Sequence, residues 1–166
     1  MASPAPSPLA ALNAIRSVYL AAFLPSPMFP AHWGMWIPNA LDQAVGTLIN
    51  VRGDPCNGFV HEFERGYRAH DCESRPLLRP LGTAADFPDG PTVPGIDTNP
   101  CNDLERLALS IPPPALSLTP AGSSQRRFRV AIKNCQTWLR QLVDAMIEKG
   151  LIDPSAKDIL DASPQH

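Results

Sequence analysis

No stretch of the 166-residue chain approaches the roughly 20 consecutive apolar residues needed to span a bilayer. The first apolar run, 18–24, is short, ends at Pro25 and follows no charged n-region, so it does not read as a secretory signal. A soluble, cytoplasmic protein is the expectation. The formal net charge of −2 and pI near 6.0 imply no general attraction to nucleic acid, and no nucleic-acid motif is present. The chain has no Gly-rich phosphate loop and no Gly-x-Ser-x-Gly elbow. It has no paired Cys-x-x-Cys either, and the spacing of Cys56, His61, His70 and Cys72 resembles no closed zinc pattern. Neither a cofactor nor a metal is expected.

What is abundant is proline. Twenty prolines far exceed the usual share of about 5%, and they cluster in 1–30, 76–100 and 112–120. Such clusters mark long loops around a smaller regular core. The four cysteines (Cys56, Cys72, Cys101 and Cys135) could form two disulfides, but without a secretory signal free thiols are the better expectation. Residues 1–14 are small, Pro-rich and unpatterned, and read as a flexible tail. The remainder, 15–166, suits a single α+β domain.

Residues 15–23 have strand composition, although their alanines leave a short helix open. The runs 31–38 and 47–52 read as a hairpin with a long loop. Turn signals at Gly53-Asp54-Pro55 and Asn57-Gly58 introduce 59–64, whose alternation puts Phe59, His61 and Phe63 on one face. Val60, Glu62 and Glu64 face the other way. The segment 66–125 is dense in proline and reads as a loop or lid over a site, with a brief strand near Leu77, Leu78 and Leu81. A short helix near 102–111 interrupts it. Asp153-Pro154 signals a short closing helix.

The element with the clearest period begins at Cys135. Large apolar residues at 138, 139, 142, 143, 146 and 147 describe a helix with one buried face. Asn134 is a good N-cap, and Gly150 a good stop. Cys135 then sits in the first turn, where the helix dipole favours a thiolate. A thiol nucleophile needs a base, and the base an orienting partner. His32 opens an apolar strand and His61 lies within another. In the simplest hairpin register Ile37 and Pro38 lie near Val45 and Gly46, and His32 lies across from Asn50. Cys135, His32 and Asn50 then form a nucleophile–base–orienter set, with His61 as the substitute base. Arg126, Arg127, Arg129 and Lys133 precede the helix as a basic edge able to steer an anionic substrate.

Two motifs, His32-Trp33-Gly34-Met35-Trp36-Ile37 and Asn134-Cys135-Gln136-Thr137-Trp138, resemble the circularly permuted papain-like enzymes. The lecithin retinol acyltransferase group is typical of these, and PPPDE-type peptidases share the helix motif. The resemblance implies that Cys135 is the nucleophile, His32 its general base, and the Cys135 backbone N–H part of an oxyanion hole. Where the acyltransferases carry a second histidine on the return strand, this chain has Asn50, as in a Cys-His-Asn set. The whole chain also resembles small uncharacterised fungal proteins, a likeness that implies no activity.

The expected architecture is therefore a small antiparallel sheet packed on the Cys135 helix, with long Pro-rich loops. Two functions fit it. One is a cysteine-dependent hydrolase or acyl-transfer enzyme acting on an ester, thioester or amide, with Trp33, Trp36, His61, Asn134, Gln136 and Trp138 around the substrate. The other is a non-catalytic protein of the same fold that binds a small molecule or peptide beneath the 66–125 segment. Periodicity and spacing leave the oligomeric state open.

Overall fold

A computed structural model describes residues 15–24, 27–71, 73–84, 88–116 and 132–166. The expected tail at 1–14, Cys72 and the basic residues Arg126, Arg127 and Arg129 lie outside the described residues. The strands are β1 (Arg16–Phe23), β2 (His32–Pro38), β3 (Gly46–Asp54), β4 (Gly58–Tyr67), β5 (Leu77–Ala84) and β6 (Gly95–Asp97). The helices are α1 (Asp103–Ser110), α2 (Cys135–Glu148) and α3 (Ala156–Asp161). The strands form one six-stranded sheet in the order β5-β1-β2-β3-β4-β6, with each adjacent pair antiparallel. This is the expected α+β fold, with α2 laid across one sheet face.

Local chemistry explains the elements that position the site. The β3–β4 hairpin turns where the sequence signals it: the Asp54 carboxylate accepts from the N–H groups of Cys56 (2.8 Å) and Asn57 (2.9 Å). The Asn134 side-chain oxygen accepts from the N–H groups of Gln136 (3.0 Å) and Thr137 (3.2 Å), which starts α2. At the other end Gly150 has φ +68°. Its N–H donates to Ile147 (2.9 Å) and that of Leu151 to Met146 (2.8 Å). This paired closure needs the left-handed conformation that glycine adopts at no steric cost.

Strand alternation divides the interior in two. On the helix face Val18, Leu20, Ala22, Trp33, Met35, Ile37, Ile49, Val51 and Phe63 pack with Trp138, Leu139, Leu142, Val143 and Met146. On the opposite face a smaller cluster of Ala21, Trp36, Leu48 and Ala69 is flanked by Tyr19, Phe23, Tyr67 and Leu78.

The short strand near Leu77, Leu78 and Leu81 and the short helix near 102–111 expected within the segment 66–125 are both present. The described part of that segment supplies edge strand β5 beside β1, edge strand β6 beside β4, and α1. Arg65 is the anchor. Its guanidinium is 2% exposed and donates to Glu105 (2.6 Å) and Asp97 (2.9 Å), and also to the Asn99 carbonyl (2.7 Å). Two carboxylates and a carbonyl thus satisfy one buried cation and tie β4, β6 and α1 together. Proline is tolerated here because β5 and β6 are edge strands.

Candidate functional site

The sheet separates the residues that the sequence groups into one site. Cys135 is 6% exposed, and its Sγ lies 3.9 Å from the Ala31 carbonyl oxygen, within the helix-face core. Ala31, Trp33, Met35 and Ile37 share that face. His32, between Ala31 and Trp33, points the other way and stacks against Phe23 at 5.7 Å. The β2 backbone therefore lies between thiol and imidazole, and the Cys135–His32 dyad is not assembled. Parity is the reason: a helix on one face meets only alternate residues of a strand.

The thiol is not activated either. Burial pushes the Cys135 pKa up, against a smaller lowering by the backbone N–H groups of Trp33, Gln136 and Cys135 itself. Desolvation outweighs the helix-start position.

The other residues expected around the thiol make structural bonds. Nε2 of His61 donates to the Ile111 carbonyl (2.8 Å), and so does Nε1 of Trp138 (3.0 Å). Both rings thereby close the C-terminal end of α1. Nε1 of Trp33 donates to the Pro164 carbonyl (2.8 Å). Gln136 is equally engaged, its amide donating to the carbonyls of Ala31 (2.8 Å) and Gln165 (3.0 Å). Asn134 is the helix cap.

A different constellation occupies the second face. His32, Arg52, Glu64, Tyr67, Phe23, Leu24, Glu73, Ser74 and Arg75 line a cleft of about 830 Å³. The register Met35–Ile49, Trp36–Leu48 carried along the hairpin sets Gly34 beside Asn50 and His32 beside Arg52. Asn50 is thus on the face of His32, as expected, but the hairpin is offset by two residues. A Cβ on Gly34 would lie 3.2 Å from Asn50 Cβ and 2.8 Å from Leu48 Cδ1, so only glycine leaves the Asn50 side chain its space. Arg52 donates to Glu62 (2.7 Å) and Glu64 (2.8 Å). Trp36 sits further along the same face, between Tyr19 and His70.

The electrostatics follow from burial. The His32 pKa is lowered to about 4, first by desolvation and then by the Arg52 charge; Glu64 and Asn50 oppose the shift. The imidazole is therefore neutral at physiological pH. Burial raises the Glu62 carboxyl against the pull of Arg52. Asn50 is 0% exposed and close enough to His32 to favour its protonated form. Yet Oδ1 and Nδ2 of Asn50 and Nε2 of His32 have no hydrogen-bond partner of acceptable geometry among the described residues. Buried polar atoms without partners are rare and costly.

The profile of a family of unknown function, DUF6540, matches residues 18–153. The chain belongs to DUF6540. The matched span contains every cleft residue together with Asn50 and Cys135. No curated protein and no solved structure matches the chain. Membership of DUF6540 carries no activity with it. Among the described residues no helix is long and apolar enough to cross a membrane.

Sequence reasoning missed Arg52, Glu62, Glu64 and the cleft walls. The signal was available in the alternation of 59–64, which puts Glu62 and Glu64 opposite His61. Even-numbered residues of β2, of β3 and of β4 as far as Glu64 share that second face, and the bulge opposite Gly46 and Leu48 brings Tyr67 onto it.

Proposed function

We propose that this DUF6540 protein is a non-catalytic small-molecule binding protein whose ligand occupies the cleft on the sheet face opposite α2. The observation that carries this reading is the set of buried polar atoms without partners among the described residues, Oδ1 and Nδ2 of Asn50 and Nε2 of His32, beside a cleft walled by Phe23, Leu24 and Tyr67. Ligand sites combine apolar walls with a few convergent polar groups in this way. Hydrolysis or acyl transfer through Cys135 is the weaker reading, because that thiol is buried, raised in pKa and separated from His32 by a strand.

The test is a screen of fragment mixtures of varied charge against the isotope-labelled chain, read by amide correlation spectra. Saturable shifts gathered on Phe23, His32, Arg52, Tyr67 and Ser74 support the reading. Responses confined to the α2 start around Cys135, or no saturable response at all, refute it.

A further inference from the structure

The chemistry around Asn50 narrows the ligand class, and this inference rests on the binding reading above. We propose that the cleft selects a small neutral carboxamide on a flat apolar body, recognised by the side chains of Asn50 and His32.

The Asn50 amide presents one acceptor and two donors, and neither polar atom has a partner of acceptable geometry among the described residues. A second amide is the complement, because it supplies a donor to Oδ1 and an acceptor to Nδ2 at once. A carboxylate satisfies Nδ2 but sets an anion against Oδ1. An ammonium satisfies Oδ1 and leaves Nδ2 facing a cation. Each charged group therefore keeps one buried atom unpaired, which is how polar sites reject close analogues.

The surrounding charges point the same way. Arg52 is bonded to both Glu62 and Glu64, so this group carries one excess negative charge, and a carboxylate entering beside it is repelled. Each glutamate gives one oxygen to Arg52, so discrimination against a ligand cation rests on Nδ2 of Asn50 rather than on these carboxylates. His32, neutral because it is buried, adds a ring nitrogen that donates or accepts but brings no charge. At the rim Arg75 and Glu73 offset one another.

Shape supplies the rest. The Phe23 ring stands edge-on to Tyr67 at 6.5 Å and tilts against His32 at 5.7 Å, giving flat apolar walls. Ala21 faces Gly34 across β1 and β2, so the floor beside Asn50 is built from small residues. His32 lines the cleft and touches Asn50, so an entering group reaches the amide by displacing the imidazole from that contact.

Three isosteres separate the classes: benzamide, benzoate and benzylamine, each titrated into the isotope-labelled full chain at neutral pH. Benzamide is expected to give saturable shifts at His32, Asn50, Arg52 and Tyr67, with a Kd on the order of 1 mM and about tenfold tighter than either charged probe. Asn50→Leu, and separately Asn50→Asp, should abolish that response, and a dispersed spectrum of either variant shows that it is folded. Benzoate or benzylamine binding the cleft as tightly as benzamide overturns the amide class and leaves the binding reading standing. Benzamide shifts that persist in both variants overturn it too, as does the absence of benzamide shifts where other fragments do occupy the cleft. Failure of every fragment to reach the cleft refutes the binding reading as well.

Discussion

Replacing Asn50 by leucine should make the ligand-free protein more stable. The amide is 0% exposed, and neither of its polar atoms has a partner among the described residues. Burying an unsatisfied amide costs about 1–3 kcal/mol on the scale of protein substitutions. Leucine has nearly the same volume and meets Leu48 and the space over Gly34 with apolar atoms. The expected gain is about 2 kcal/mol, which for a chain of this length raises Tm by about 4–8 °C. Thermal and urea unfolding of the purified, ligand-free variant measure it. Asn134→Ala provides the contrast, since the Asn134 oxygen accepts from two N–H groups at the start of α2. That substitution should cost about 1 kcal/mol. A loss of about 1 kcal/mol or more in Asn50→Leu would falsify the reasoning, because it would show that the amide is satisfied in solution and contributes to the fold.

Other perturbations give equally definite outcomes. Glu105→Ala leaves the buried Arg65 guanidinium with Asp97 as its one carboxylate partner among the described residues and should cost about 3–5 kcal/mol in urea unfolding; a cost under about 1 kcal/mol refutes the anchoring role. His32 titrates near 4 when folded and near 6.5 when unfolded, so below pH 6.5 the unfolded chain binds the extra proton. Stability is complete above 6.5 and should fall by on the order of 3 kcal/mol as pH drops to about 4. A pH series in which His32→Gln shows an equally steep decline refutes that assignment. Iodoacetamide followed by peptide mass mapping should label the exposed Cys56 well before Cys135; fast labelling of Cys135 in the native protein contradicts its burial.

The fold was legible where local chemistry and period agree. Asn134, the apolar stripe from Trp138 to Met146 and Gly150 specify α2 without tertiary help. The hairpin turn at Asp54 was written in the sequence in the same way. Within 66–125 the short strand and helix were legible but β6 and the packing of these pieces were not, because proline density reports only where ladder hydrogen bonds are missing. It does not tell that Arg65, forty residues before Glu105, gathers the later pieces around one buried charge. The hairpin offset was hidden for a related reason: a shift of two residues preserves every face, so the hydrophobic pattern cannot distinguish the two registers.

Strand parity is the single step that separates the residues the sequence groups into one site. Cys135 and His32 each look reactive in isolation, yet α2 meets only the odd residues of β2, so the two groups lie on opposite sides of one backbone. Once parity separates them, the polar residues sort themselves. Apolar packing dominates the helix face, and its expected site residues have partners: His61, Trp138, Trp33, Gln136 and Asn134 all bond backbone groups. The opposite face holds His32, Asn50, Arg52, Glu62 and Glu64 together, two of them with buried atoms left unpaired. A sheet that needed this face only for stability would gain from apolar residues at 32 and 50. The unpaired atoms of Asn50 and His32 beside the cleft support the binding proposal above, in which a ligand supplies their partners.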